Sequence, residues 1–183
     1  MSSRAVAPHA DTYWRPGAGL APAQLRRFVL DLAAEPRRWR HLARHEDDVR
    51  VYEQIHSDAR VNAWLICWSG GQDTGFHDHD ESAGAISVIE GNVRDERLLV
   101  GGQPVARELS AGQHFEVPPT AIHRVLHSGA QPAITIHAYS PPLLRMGAYR
   151  VGPDGELERQ ALTCEQELCA ERGLDLLAGA RCR

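Results

Sequence analysis

Two histidines one residue apart, His77-Asp78-His79, are the first residues whose types and spacing could do chemistry. On an extended strand they project from one face, and adjacent neutral imidazoles are the beginning of a site for a divalent metal. The competing reading is a polar turn carrying two solvated histidines. The surrounding stretch, Gly71-Gln72-Asp73-Thr74-Gly75-Phe76-His77-Asp78-His79-Asp80-Glu81-Ser82-Ala83-Gly84, is also acidic. Strict alternation would bring Glu81 round as a rival ligand. Otherwise Asp78, Asp80 and Glu81 form an acidic rim, or partners that fix the imidazole tautomers.

Such a pair needs a scaffold to hold it. With 183 residues, 43% of them hydrophobic, the chain is long enough for one well-buried core. A formal charge of −4 gives no basic footprint for nucleic acid. No apolar run is long enough for a membrane span, and the start lacks the basic-then-apolar order of a signal peptide. Cys67, Cys164, Cys169 and Cys182 are irregularly spaced, which reads as reduced thiols and a cytoplasmic protein. The remaining histidines His9, His41, His45, His56 and His114 read as solvated.

The elements follow from hydrophobic period. Residues 1–22 form a flexible Pro- and Gly-containing lead-in. Leu25, Phe28, Val29 and Leu32 recur at helical spacing between Ala23 and Glu35, and Pro36 ends the run. A second short helix, Arg37 to Arg44, completes a helical region over 23–45. From Val61 the period becomes two: strands are expected at 61–68, 84–90, 93–100, 105–109, 114–117, 122–127 and 133–139. A final hairpin turns at Gly152-Pro153-Asp154-Gly155. Thr163-Cys164-Glu165-Gln166 has the pattern of a capping box, opening a short C-terminal helix to about Arg172. Residues 176–183 fray. Many short strands with helices at the two ends predict a mainly β single domain over 23–175, a sandwich or small barrel.

A second stretch, Gly112-Gln113-His114-Phe115-Glu116-Val117-Pro118-Pro119-Thr120-Ala121-Ile122-His123, completes a pattern. Together the two stretches resemble the paired motifs of the cupin superfamily. Gly71, His77, His79, Gly84 and Gly91 stand at the first motif's positions, and Gly112, Pro118, Thr120, His123 and His127 at the second's. Gly84 replaces the usual Glu, Thr120 a Gly and His127 an Asn. The resemblance implies a cupin β-barrel or jelly roll, with His77, His79 and His123 as metal ligands. Losing the Glu leaves three neutral imidazoles and open coordination positions.

Thr135-Ile136-His137-Ala138-Tyr139-Ser140-Pro141-Pro142 narrows the resemblance to the thiol dioxygenases, the group of cysteine dioxygenase and 3-mercaptopropionate dioxygenase. These have a three-His iron site and a Ser-x-His-x-Tyr network, read here as Thr135, His137 and Tyr139. On a strand the three share a face. The resemblance implies Fe(II), dioxygen as co-substrate, a small thiol oxidised to a sulfinic acid, and a monomer. Gly84 stands where mammalian members carry a Cys cross-linked to the Tyr, so Tyr139 is expected unmodified. Gln54, two residues beyond Tyr52, stands for the Arg that holds the substrate carboxylate in cysteine-specific members. Arg145 and Arg150 are candidate replacements, and Met146 and Tyr149 candidates at the pocket mouth. The substrate is then cysteine, 3-mercaptopropionate or a bulkier thione such as ergothioneine. The alternatives are a cupin of other chemistry, such as a Mn or Ni dioxygenase or an isomerase, or a non-catalytic metal-dependent small-molecule binder.

Overall fold

Gly, Pro and Ser punctuation cuts the chain into short strands, and these pair into two antiparallel sheets. The computed structural model describes residues 19–99, 101–151 and 156–163. Among them helix α1 (Pro22–Ala33) precedes strands β1 (Val51–Ser57), β2 (Asn62–Trp68), β3 (Phe76–Asp78), β4 (Ala83–Glu90), β5 (Asn92–Arg97) and β6 (Val105–Ser110). Strands β7 (His114–Val117), β8 (His123–Ser128), β9 (Ala133–Ser140), β10 (Arg145–Val151) and β11 (Leu157–Thr163) follow. One sheet has the order β1-β2-β9-β4-β7 and the other β11-β10-β3-β8-β5-β6. This is the expected mainly β cupin architecture.

Alternation along the strands makes two cores. Ile66, Trp68, Ile86, Val88, Val125, Tyr139 and Met146 fill the space between the sheets. Ala63, Leu65, Cys67, Ala85, Ile136 and Ala138 point the other way, onto α1. Strand β9 is buried at every position, so it reads as an apolar run broken by Thr135, His137, Tyr139 and Ser140. Helix α1 starts with Pro22 at its first turn, where a missing N–H costs nothing. Gln24 reaches back 2.9 Å to the Ala21 N–H, and Leu25, Val29 and Leu32 form the buried stripe.

The helix expected over 37–44 is instead two 3-10 turns, Pro36–Arg38 and Arg40–Leu42, broken at Trp39. Trp39 turns under α1, buried, with its indole donating to the Leu32 carbonyl at 3.2 Å. Reaching that position takes its backbone out of the helical region, to φ −136°. Thr163 ends β11, opposite Arg145; the helix expected to start there lies over 164–183, outside the described residues. The final hairpin is present as the β10–β11 pair, with its turn at 152–155 also outside them. Strands β1 and β3 were not expected. Cys67 is a buried free thiol, and no helix among the described residues is long and apolar enough to cross a membrane.

Candidate metal centre

Strand β3 is only three residues long, yet it sits between β10 and β8, with His77 directly opposite His123. Pairing so close brings three imidazoles from two sequence stretches together. The ligand nitrogens of His77, His79 and His123 all lie within 4.8 Å of one another, and all three residues are buried. His79 Nε2 is 3.2 Å from His77 Nε2 and 3.3 Å from His123 Nε2.

The outer ring nitrogens decide what those Nε2 atoms are. His77 Nδ1 lies 3.0 Å from the Gly75 carbonyl, and His123 Nδ1 lies 2.8 Å from Asp95 Oδ1. A carbonyl and a carboxylate accept, so each Nδ1 donates and each Nε2 presents a lone pair inward. His79 Nδ1 is buried with no partner among the described residues. Its one proton cannot satisfy both inward-facing neighbours, whereas a cation between three lone pairs does. The donor set therefore fits a divalent metal.

Burial, with His77 beside it, pushes the His123 imidazole down to about 4 against the opposing pull of Asp95. Burial, then His123 and His77, also hold His79 well below its ordinary range. Asp95 is itself buried, which works to raise its carboxyl. The hydrogen bond with His123 and the charges of Arg97 and Arg107, each 3.0 Å from Oδ2, outweigh this and keep it ionised.

Next to this group runs a buried chain of hydrogen bonds. Trp68 Nε1 donates to Thr135 Oγ1 at 2.8 Å. Thr135, fully buried, then lies 2.9 Å from His137 Nε2, and His137 Nδ1 lies 3.1 Å from the Tyr139 hydroxyl. An indole can only donate. Among the bonds described, His137 Nε2 is the one acceptor within reach of the Thr135 hydroxyl; a proton sent there leaves the His137 proton on Nδ1, which Tyr139 accepts. The phenol's own proton is then the one that it can donate. Its ring packs edge-on to His79 at 4.7 Å between centroids. Gly84 faces Tyr139 across β4 and β9, and a Cβ there would stand 3.3 Å from His79 Cε1 and 3.4 Å from Tyr139 Cε1. A Cβ at this position would touch both rings, most closely that of His79.

The acids of the first stretch do other work. Asp78 alternates away from the histidines and takes Arg159 on both oxygens at 2.7 and 2.8 Å, with the Tyr149 hydroxyl at 2.6 Å. Burial raises this carboxyl, but the bonds from Arg159 and Tyr149 outweigh it and hold it well below the usual carboxylate range. Asp78 is thus a clamp fastening β11 and β10 to β3, not a tautomer-fixing partner; Asp95 and the Gly75 carbonyl fill that role. Gly147 lies where any Cβ would collide with Arg159 and Asp78. Tyr149 belongs to the clamp, not the pocket mouth. Glu81 is exposed and outside the three-histidine group, because Asp80 adopts φ 53° and breaks the alternation after β3.

Of the residues expected to hold substrate, Tyr52, Gln54 and Met146 face the interior or its edge. Gln54 is opposite Trp64, which is opposite His137. Tyr52 packs its ring 6.0 Å from that of Trp64, and Met146 is buried between the sheets. Arg145 and Arg150 do not converge on the site: they are exposed and paired with Asp80 and Glu158. His127, in the second motif's last position, bonds the Gln131 carbonyl at 2.8 Å and closes a turn. Asp95, Trp68 and Trp64 were missed as site residues. The signal for Asp95 was available, since it shares a strand face with the fully buried Val93.

Comparison with known proteins agrees with this geometry. The chain is 26% identical over 123 residues to cysteine dioxygenase type 1 of Danio rerio, covering 60% of each protein. It is 24% identical over 122 residues to cysteine dioxygenase type 1 of Homo sapiens, again 60% of each. The chain thus spans about 60% of the length of these curated relatives. Among solved structures, the TT1209 protein of Thermus thermophilus superposes with a TM-score of 0.50 at 23% identity, over 56% of this chain and 93% of that one. A Klebsiella pneumoniae protein with a double-stranded β-helix domain also gives 0.50, at 19% identity, over 56% of this chain and 80% of that one. Those two likenesses bear on the fold alone. Residues 23–151, which carry the three histidines and the Trp68–Tyr139 chain alike, match the family described as cysteine dioxygenase type I, and the chain belongs to it.

Proposed function

We propose that this protein is an iron-dependent thiol dioxygenase that adds both atoms of dioxygen to the sulfur of a small thiol. The observation that carries the reading is the phenol of Tyr139, aimed by a one-way buried hydrogen-bond chain, set edge-on against one of three converging histidines. In the balanced reaction a thiolate and dioxygen give a sulfinate: sulfur loses four electrons, and the two oxygen atoms gain them.

His77, His79 and His123 would hold Fe(II) through Nε2. Bound there, the iron would lower the pKa of the thiol sulfur and activate dioxygen. With Gly84 in the fourth position, the chain adds no negative charge directly to the set. Asp95 supplies it at one remove through His123. Tyr139 would present its proton to the reacting sulfur or oxygen, while His137 and Thr135 keep the hydroxyl from rotating. Tyr52 and Gln54 would receive the thiol's tail at the β1 edge of the interior. Burial of the histidines keeps water from competing.

The test is oxygen uptake by Fe(II)-loaded protein with cysteine, 3-mercaptopropionate and ergothioneine side by side, after metal analysis of protein purified without added metal. Thiol-dependent uptake with a sulfinate product is expected. Three imidazoles also suit other first-row metals, so Mn or Ni in the purified protein, with uptake indifferent to every thiol, would favour a cupin of other chemistry.

A further inference from the structure

One buried arginine reaches toward both halves of the site. Arg50, which leads into β1, is 6% exposed, and its guanidinium carbon lies 5.4 Å from the ring centroid of the fully buried Trp68. That is within the range of a cation–π contact, which gains strength away from water. Its Nη1 donates to the Asp73 carbonyl at 2.8 Å. A guanidinium does not lose its proton in a protein, so a full positive charge stands inside the fold at this point.

The two contacts lead to different parts of the chemistry. Asp73 opens the turn that aims His77: its carboxylate accepts from the Gly75 N–H, and the Gly75 carbonyl accepts from His77 Nδ1. On its other side the turn is tied to β8, where the Thr74 N–H donates to the Val125 carbonyl at 3.0 Å. Arg50 and β8 thus hold the turn from opposite sheets, since β1 belongs to one and β8 to the other. Trp68 opens the chain that ends at Tyr139, donating to Thr135 Oγ1 at 2.8 Å. A cation over the indole face draws electron density from the ring and makes its N–H the stronger donor. A stronger first bond polarises those that follow it.

We propose that Arg50 is a positioning residue that couples the metal centre to the hydrogen-bond chain. Through Asp73 it fixes the turn that aims His77, and through Trp68 it strengthens the bonds that aim the Tyr139 phenol. The proposal rests on the thiol dioxygenase reading for what Tyr139 does in turnover, but not for the coupling itself. Arg50 acts here on the protein's own groups, a backbone carbonyl and an indole face. Its loss therefore falls on metal affinity and kcat and leaves the KM for the thiol alone.

The test reads both ends of the coupling. Protein with 15N-labelled tryptophan is loaded with diamagnetic Zn(II), and of the four tryptophans the Trp68 indole signal is the one missing in Trp68→Phe. Arg50→Met keeps an unbranched side chain and removes its charge and donors, whereas Arg50→Lys keeps a cation and a donor. In Arg50→Met the Trp68 signal moves upfield, and Zn(II) affinity, measured by competition with a chelator, falls roughly tenfold, as for other partners behind a metal ligand. In the Fe(II) enzyme with iron saturating, kcat falls roughly threefold, the scale of a cation–π contact, with KM unchanged. Arg50→Lys brings all of these readings back toward the parent protein. In a Trp68→Phe background, where the first bond of the chain is already gone, Arg50→Met lowers kcat no further. Arg50→Gln, uncharged and shorter, repeats the readings should the Met variant not fold.

An unmoved Trp68 signal, an unchanged metal affinity, equal losses in the Met and Lys variants, or a rise in KM at constant kcat overturns the proposal. An indole shift with weakened metal binding but no thiol-dependent oxygen uptake in the parent protein sinks the dioxygenase and keeps the coupling. Uptake with an unmoved indole does the reverse.

Discussion

Asp95 Oδ1 lies 2.8 Å from His123 Nδ1, and both side chains are 1% exposed. A buried carboxylate behind a histidine fixes its tautomer and makes its other nitrogen a better ligand. Arg97 and Arg107 share the second oxygen, which keeps the acid ionised without drawing it off the histidine. Asp95→Asn keeps the shape and removes the charge. We expect iron affinity to fall by about ten- to a hundredfold, measured by competition with a chelator, with the far-UV spectrum unchanged. Unaltered affinity would mean that Asp95 serves packing only.

Trp68→Phe removes the donor that sets the direction of the Thr135–His137–Tyr139 chain. With that anchor gone the Thr135 hydroxyl is free to turn away from His137 Nε2, and Tyr139 loses its fixed acceptor role. Turnover should drop about fivefold, the worth of about 1 kcal/mol, with iron content retained. Tyr139→Phe, which removes the phenol itself, should cost more. Steady-state kinetics beside metal analysis separates these effects from simple loss of the site.

The Asp78–Arg159 clamp gives a pH signature. A carboxyl held low in the fold stabilises fully above its unfolded value of about 3.9 and loses that contribution as the pH falls through the folded value. Arg159→Leu should therefore lower stability by about 1.5 kcal/mol near neutral pH. The gap between variant and parent should persist down to about pH 5 and narrow below about pH 4. Thermal melts across that range measure it; a gap independent of pH would place the cost elsewhere.

Glu81→Gln should leave iron content and turnover within error of the parent protein. The left-handed Asp80 takes Glu81 off the strand that carries His77 and leads into His79. A loss of metal in this variant would restore Glu81 as a ligand.

These contrasts show what the sequence could and could not convey. His77, His79 and His123 were legible because each lies in a stretch with a fixed spacing, and Thr135, His137 and Tyr139 because strand alternation puts them on one face. The strands with unbroken apolar phase, such as β2, β4 and β9, were legible for the same reason. What escaped depends on pairing between distant strands. Strand β3 is too short for any periodic signal and exists because β8 and β10 flank it. The roles of Asp78 and Asp95 look alike in sequence, yet one faces Arg159 and the other His123, and only the register decides. Arg145 and Arg150 attract attention as cations near the motif, but their partners Asp80 and Glu158 come from other turns of the chain.

The central claim is that both atoms of one dioxygen reach the thiol sulfur. It is tested most directly by turning over 3-mercaptopropionate under 18O2 with the Fe(II) enzyme and weighing the product. The expected product is a sulfinate carrying two 18O atoms, formed with one dioxygen consumed per thiol. A product with one or no 18O, or oxygen uptake that does not depend on a thiol, would contradict it.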